Sequence, residues 1–329
     1  MDAIEAARRA LWHPAERRPT TGVRLALGAA VIAAAIAVSS LLGGALAGRV
    51  GVTSVAAPAA AVGIGSIAAI AGLARVVDRR PVADYGLGLD RGWMVDLGVG
   101  LALGAVLQTG ILAVGVAGGW LTVGAVAAPG SVLVDLAKLA ALFVAVGVWE
   151  EVAVRGWLLT NLVEGLRFAG ERVAVAAAVG LSAAVFGLGH ANNPEASVVS
   201  TVLIVCAGVF LGVGYVVTGE LGVPIGVHIT WNFFQGPVYG LGVSGFGVET
   251  SLVTTEPTGP TWVTGGAFGP EAGLLGLGAL LTGTLLVAGW ARRCHGRFGV
   301  HPSITTPTLR SGATPDSTGA TTAGDEGPT

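Results

Sequence analysis

The sequence has few charged residues and few cysteines. Asp, Glu, Lys and Arg make up 12% of its 329 residues, about half the share of a soluble domain. So little charge cannot cover a water-exposed surface, which excludes a soluble globular protein. The net charge of −2 lacks the basic excess that a nucleic-acid partner requires. The two cysteines, Cys206 and Cys294, form no CxxC pair, which excludes a disulfide framework.

Long apolar runs are abundant instead. The chain is 53% hydrophobic, its mean hydropathy is +0.75, and a spanning helix needs about 20 apolar residues. Eight runs are of about that length: residues 25–48, 50–74, 97–118, 131–162, 173–193, 196–219, 221–240 and 272–291. We therefore predict an all-α polytopic membrane helix bundle with about eight transmembrane helices, embedded in a lipid bilayer.

The basic residues predict an orientation. If the helices alternate in direction, every Lys and Arg except Arg49, Lys138 and Arg155 falls on one side of the membrane. Loops rich in Lys and Arg stay in the cytoplasm. We therefore expect a multi-pass protein of the cell membrane with both termini cytoplasmic.

The same pattern divides the chain into three parts. Residues 1–24 form a cytoplasmic arm, and residues 25–291 form a membrane domain with a chemistry-bearing core at about 131–240. Residues 292–329 form a cytoplasmic tail, predicted to be mostly disordered because residues 303–329 are rich in Ser, Thr, Pro and Gly. Glu164 falls in a predicted loop, where a solvated charge needs no special role.

Ionisable residues lie inside the fourth apolar run, where each costs about 2.5–3.5 kcal/mol to insert. Glu151 and Arg155 are four residues apart and share a helical face, so they can neutralise each other. Glu150 points about 140° away from Arg155 by helical geometry. The pattern predicts one neutralised carboxylate and one that faces a cavity.

Two other runs carry histidines. His190 ends the fifth run, four residues after Phe186, and His228 lies in the seventh run, four residues before Asn232. A carboxylate and an imidazole can together remove a proton from water. A second imidazole and a carboxamide can donate hydrogen bonds to a developing oxyanion. These residue types therefore suit hydrolysis of an amide bond.

The three motifs together resemble the CPBP family of intramembrane endopeptidases, which includes the type II CAAX prenyl endopeptidases and bacteriocin-processing relatives. The motifs are EExxxR at Glu150, Glu151 and Arg155, FxxxH at Phe186 and His190, and HxxxN at His228 and Asn232.

The resemblance implies a role for each residue. Glu150 is the general base together with His190, and His228 and Asn232 form the oxyanion site. Glu151 and Arg155 hold the architecture, and Arg155 orients a substrate carboxylate. The substrate is a peptide or membrane protein, and no cofactor is required. Phe186 and Trp231 are interpreted as packing residues.

The resemblance also favours a site open to the cytoplasmic side. Residue counts at 1.5 Å per residue do not place the site residues at one depth in the membrane. They place His190 near the outer end of its helix and His228 nearer the inner end of its own, with Glu150 between them.

Other interpretations stay open. Glu150, His190 and His228 could be the ligands of a zinc-dependent peptidase, although the chain has no HExxH motif. A non-catalytic membrane scaffold or immunity protein is a second alternative, because polar groups in membrane helices also serve other purposes. A serine peptidase built on Ser244 is disfavoured, since no histidine lies in the span that follows it.

Overall fold

The structure is a computed structural model that describes residues 10–49, 56–294, 296 and 299–310. Its helices are α1 Thr21–Arg49, α2 Ala56–Val76, α3 Arg91–Ala117, α4 Pro129–Glu151, α5 Thr160–Gly165, α6 Glu171–Gly189, α7 Val198–Thr218, α8 Gly222–Phe233, α9 Thr261–Thr264, α10 Leu274–Cys294 and α11 Pro302–Thr305. A π-helix, Val152–Leu159, joins α4 to α5, and a second, Phe234–Val238, continues α8. Single 3-10 turns lie at Val82–Tyr85, Arg167–Ala169 and Pro270–Ala272.

Short strands form two antiparallel pairs. Strands β1 Trp12–His13 and β2 Arg18–Pro19 pair before α1. Strands β3 Leu121–Val126 and β4 Val253–Pro257 pair in the loops after α3 and α8. The predicted all-α polytopic bundle is confirmed, because nearly all other structure is helical.

Seven helical segments within the described residues are long and apolar enough to cross a membrane. They correspond to seven of the eight predicted runs. The run at 221–240 instead forms the 12-residue α8 and its five-residue π extension. Residues 222–228 of α8 are all buried, so α8 is an inner helix enclosed by the others. A helix that does not face lipid along its length need not match the bilayer thickness.

Glycines bring α8 close to its neighbours. A Cβ added to Gly100 or Gly104 of α3 would meet the backbone of α8 at 2.4 and 2.6 Å, and one added to Gly226 would meet α3 at 2.5 Å. A Cβ at Gly147 of α4 would lie 2.8 Å from Ile229 of α8. Small residues at such crossings let membrane helices pack backbone to backbone. Here they fix α8 between α3 and α4.

The bundle has two chemically different ends. We call one the arginine-rich end; it holds residues 12–24, 75–91, 164–172, 216–222, 292–294, 296 and 299–310. The other, the loop end, holds residues 118–130, 190–197 and 239–273. Hydrogen bonds join segments within each end, such as Leu221 N to Gly86 O and Ala127 N to Leu252 O.

A buried charge cluster closes the arginine-rich end. Glu164 accepts hydrogen bonds from Arg18 at 2.5 Å, from Arg24 at 2.6 Å and from Arg80. Its side chain is only 10% exposed, so the expectation of a solvated charge at Glu164 was wrong. The carboxylate lies at the end of a helix and not in a loop, and it is the shared anion of three buried guanidinium groups. The cluster continues through Glu16, Asp78 and Asp84.

The first part of the tail is folded onto this end. Arg310 N donates to Arg79 O, Thr308 N donates to Asp84, and Ile304 and Leu309 are buried. The expectation of disorder is therefore wrong for residues 303–310, because these two apolar side chains supply enough burial to dock the segment. The rest of the predicted disordered tail, residues 311–329, and the first nine residues of the arm lie outside the described residues.

Candidate active site

The carboxylate pair lies where α4 passes into a π-helix. Arg155 Nη1 donates to Glu151 Oε1 at 2.7 Å, and neither side chain has any exposed surface. This is the ion pair that their four-residue spacing predicts. The π-helix starts directly after Glu151, and such wide turns are frequent at functional sites. Glu150, the residue before this pair, is partly exposed at 16%.

Arg155 is fully buried, and two of its three guanidinium nitrogens have hydrogen-bond partners. Nη2 donates to Gly208 O at 3.2 Å, and the guanidinium lies 4.3 Å from the centroid of the Phe186 ring. A cation over an aromatic face is stabilised electrostatically. Because these partners enclose Arg155 completely, the geometry favours its architectural role. It disfavours the alternative that Arg155 orients a substrate carboxylate.

His228 of α8 lies between the two carboxylates. Its Nδ1 is 2.8 Å from Glu151 Oε1, and its Nε2 is 3.8 Å from Glu150 Oε2. A carboxylate can only accept, so Nδ1 carries a hydrogen and donates it to Glu151. This bond fixes the ring plane and directs Nε2 toward Glu150. Glu150 Oε2 is buried and makes no hydrogen bond among the described residues.

His190 is the residue that ends α6. Its Nδ1 lies 2.8 Å from Phe186 O. Since a carbonyl only accepts, Nδ1 is the donor and Nε2 keeps its lone pair, as a base requires. The Phe186 ring lies 4.7 Å from the His190 ring and 6.0 Å from the His228 ring. Phe186 is therefore a packing residue that joins both histidines to Arg155.

Asn232 lies one turn after His228 on the same face of α8. It is partly exposed, and its carboxamide makes no hydrogen bond to any described residue. Trp231 is buried among apolar residues of α3, α7 and α10, as its interpretation as a packing residue requires.

The fit of a zinc ion to Glu150, His190 and His228 can be tested from geometry. In the described part of the chain, no three His, Cys, Asp or Glu side chains converge closely enough to hold a metal ion. The zinc alternative therefore finds no ready ligand set among the described residues.

A second polar network, at the loop end, was not anticipated. Gln108 of α3 donates to Gln235 at 2.7 Å, and Gln235 donates to Glu271. Glu271 also accepts from Ser244 N at 2.5 Å, and Asn193 donates to Ser244 O at 2.8 Å. Burial raises the pKa of Glu271 to about 7. The network ties the segment after His190 to the loop that follows α8.

Ser244 is a turn residue within this network. It has a left-handed backbone, with φ 48°, and its hydroxyl lies 3.3 Å from Glu271 Oε1. Among the described residues its hydrogen-bond partners include no histidine, which agrees with the interpretation as a turn. The signal that could have indicated the network was the presence of Gln108 and Gln235 in otherwise apolar segments.

Fold and site together define a polytopic membrane protein with a carboxylate–histidine centre inside its helix bundle. Residues 132–234 match the family model described as "Type II CAAX prenyl endopeptidase Rce1-like". The match covers all three motifs, so this region is similar to CAAX-type intramembrane proteases and supports the resemblance to the CPBP family. Comparisons with curated proteins and with solved structures gave no match.

Proposed function

We propose that the chain is an intramembrane endopeptidase that hydrolyses a peptide bond with water activated by Glu150 and His190. His228 and Asn232 stabilise the oxyanion, and no cofactor takes part. One observation carries the proposal: Glu150 and Glu151 of one helix lie on either side of His228 from another helix. Ionisable groups are expensive inside a membrane, so their convergence from separate helices favours a chemical purpose.

Glu150 is the better placed of the two carboxylates to act as the base. Glu151 is already committed to Arg155 and His228, whereas Glu150 Oε2 makes no hydrogen bond in the described structure. The free Nε2 of His190 is a second acceptor for the proton of water. A carboxylate and an imidazole share this work in general base catalysis.

The oxyanion donors come from one face of α8. His228 can donate from Nε2 only when both ring nitrogens carry a proton, and Glu150 and Glu151 stabilise that charge from either side. The Asn232 amide is a neutral donor one turn away. Donors held rigidly in a site of low dielectric constant strongly stabilise a developing negative charge.

The reaction then balances as follows. The water oxygen bonds to the peptide carbon, its proton passes to Glu150 or His190, and the carbonyl oxygen becomes the oxyanion. When the C–N bond breaks, the protonated group returns its proton to the leaving nitrogen. The products are a carboxylate and an amine, and the substrate is a peptide or membrane protein.

Proteolysis in reconstituted membranes tests the proposal against a library of candidate peptides. We expect Glu150→Ala and His228→Ala to abolish cleavage. Matched controls are Glu171→Gln, an exposed carboxylate on α6, and His13→Ala, a histidine before α1; both should cleave like the wild type. Equal cleavage by all five proteins would remove the enzymatic proposal.

A further inference from the structure

One residue of the candidate site, His190, lies at one end of the bundle. His190 follows the 19-residue α6, which begins at the arginine-rich end. Nineteen helical residues rise about 28 Å, nearly the hydrocarbon thickness of about 30 Å. Three residues later, Asn193 donates to Ser244 O in the loop after α8. His190 therefore lies at the loop end, and the Phe186 ring beside it also contacts His228 and Arg155.

A dense apolar layer separates the site from the arginine-rich end. Leu159 and Leu221 have no exposed surface, and Tyr215 and Ile225 are exposed by 1% and 2%. These residues belong to one continuous core cluster, which also contains Trp157. Water and a peptide chain cannot cross such close-packed side chains without displacing them.

The buried charge cluster forms a second layer behind the first. Arg18, Arg24 and Arg80 are exposed by 1% or less, and all three bind Glu164. Removing one partner from such a cluster leaves an uncompensated buried charge, which is strongly unfavourable. The cluster therefore stays closed, and it blocks approach to the site from the arginine-rich end.

The loop end has the opposite character. Glu150 is 16% exposed, His190 and Asn232 are partly exposed, and Ala191 and Asn192 are exposed beside His190. The sequence has no Lys or Arg between Arg172 and Arg292, so the loops after α6 and α8 carry no basic residue. Segments without basic residues are those that cross to the outer side of a membrane.

From this arrangement we infer that the site opens at the loop end and that this end faces the extracytoplasmic side. The substrate class is therefore a peptide segment at or near the outer membrane surface. It is not a cytoplasmic C-terminus, which differs from what the family resemblance implied. The substrate class rests on the proposed function. The opening of the site and the side it faces can be tested without any cleavage.

Cysteine accessibility provides the test. The background is Cys206→Ser with Cys294→Ser. Three single cysteines are added to it in turn: Phe168→Cys marks the arginine-rich end, Asn192→Cys marks the loop end, and Glu150→Cys marks the site. Phe168 and Asn192 are both exposed. The probes are a membrane-impermeant maleimide for the two ends and a small charged methanethiosulfonate for the site.

In intact cells we expect labelling of Asn192→Cys and Glu150→Cys, whereas Phe168→Cys should be labelled only after permeabilisation. Labelling of Phe168→Cys from outside would overturn the orientation. If Glu150→Cys reacts only in inside-out vesicles, or from neither side, the inference that the site opens at the loop end is wrong. His190→Cys repeats the site measurement if Glu150→Cys does not fold. Labelling does not depend on catalysis, so a failed cleavage assay would leave this result intact.

Discussion

Glu151 of α4 and His228 of α8 are joined by a 2.8 Å hydrogen bond. The only other ion-pair contact between these two helices among the described residues is that of His228 with the adjacent Glu150. The same Glu151 oxygen accepts from Arg155 at 2.7 Å. One carboxylate oxygen therefore orients the proposed oxyanion donor and neutralises the buried guanidinium group. The neighbouring Glu150 is left free of both tasks.

The two carboxylates should respond differently to the same substitution. Glu151→Gln leaves Arg155 buried without an anion, so we expect a loss of about 3–5 kcal/mol in the free energy of unfolding and a fall in kcat on the order of 10²-fold or more. Glu150→Gln should abolish cleavage while the unfolding free energy changes by less than about 1 kcal/mol. Thermal unfolding in detergent and peptide cleavage measure both. Equal destabilisation by the two variants would contradict the division of roles.

Gly147 should be required for the contact between α4 and α8. A Cβ at this position would lie 2.8 Å from Ile229 and 3.6 Å from His228 Cβ, so Gly147→Ala pushes α8 away from Glu151. We expect the free energy of unfolding to fall by about 1–3 kcal/mol and cleavage to be slower at unchanged KM. Gly110→Ala is the matched control, because nothing lies within 4 Å of its added Cβ. A Gly147→Ala protein as active as this control would show that the helices tolerate a wider spacing.

Glu164 should be a stability residue with no part in the chemistry. In Glu164→Gln, three buried arginines lose their shared anion. We expect the free energy of unfolding to fall by about 3–5 kcal/mol. Glu171→Gln, a few residues further along the chain but exposed, should change stability by less than about 0.5 kcal/mol. The midpoint of thermal unfolding in detergent checks both. Similar midpoints for the two variants would show that the buried charge cluster contributes little to the stability of the fold.

Glu271 should make the stability of the bundle depend on pH. Burial raises its pKa from 4.5 to about 7, so the folded chain holds a proton between these pH values that the unfolded chain has lost. This contribution to stability is complete below pH 4.5, falls as the pH rises to about 7, and is absent above that. Glu271→Gln cannot titrate, so its stability relative to the wild type should rise by about 3 kcal/mol between pH 4.5 and 8.

Unfolding midpoints of both proteins across this range measure the effect. Glu256→Gln is the control, since Glu256 is an exposed carboxylate of the same loop. Its stability difference from the wild type should stay constant with pH. A constant difference for Glu271→Gln as well would show that folding does not raise the pKa of Glu271 above its ordinary value.

The membrane fold and the Glu151–Arg155 pair followed from local patterns in the sequence. Length and apolarity predict a spanning helix, and a four-residue spacing predicts a shared face. Both depend only on residues close together in the chain. The short α8 did not follow, because whether an apolar segment faces lipid or other helices depends on its neighbours in space.

The missed features all depend on distant contacts. Glu164 meets Arg18, Arg24 and Arg80 only after four segments converge, and no spacing in the sequence connects them. Likewise, the bond from Glu151 to His228 joins residues 77 positions apart. The motifs predicted which residues carry the proposed chemistry, and the packing determined which of them touch.

Gly208 is subject to two independent requirements at a single position. Its carbonyl accepts from Arg155 at 3.2 Å, and a Cβ added to it would lie 2.9 Å from the Ala183 Cα on α6. A library randomised at residue 208 should therefore return glycine almost alone, whereas the same library at the exposed Val209 should return many apolar residues. Any redesign of this helix bundle that moves α6 or α7 would have to rebuild the surroundings of Arg155 as well.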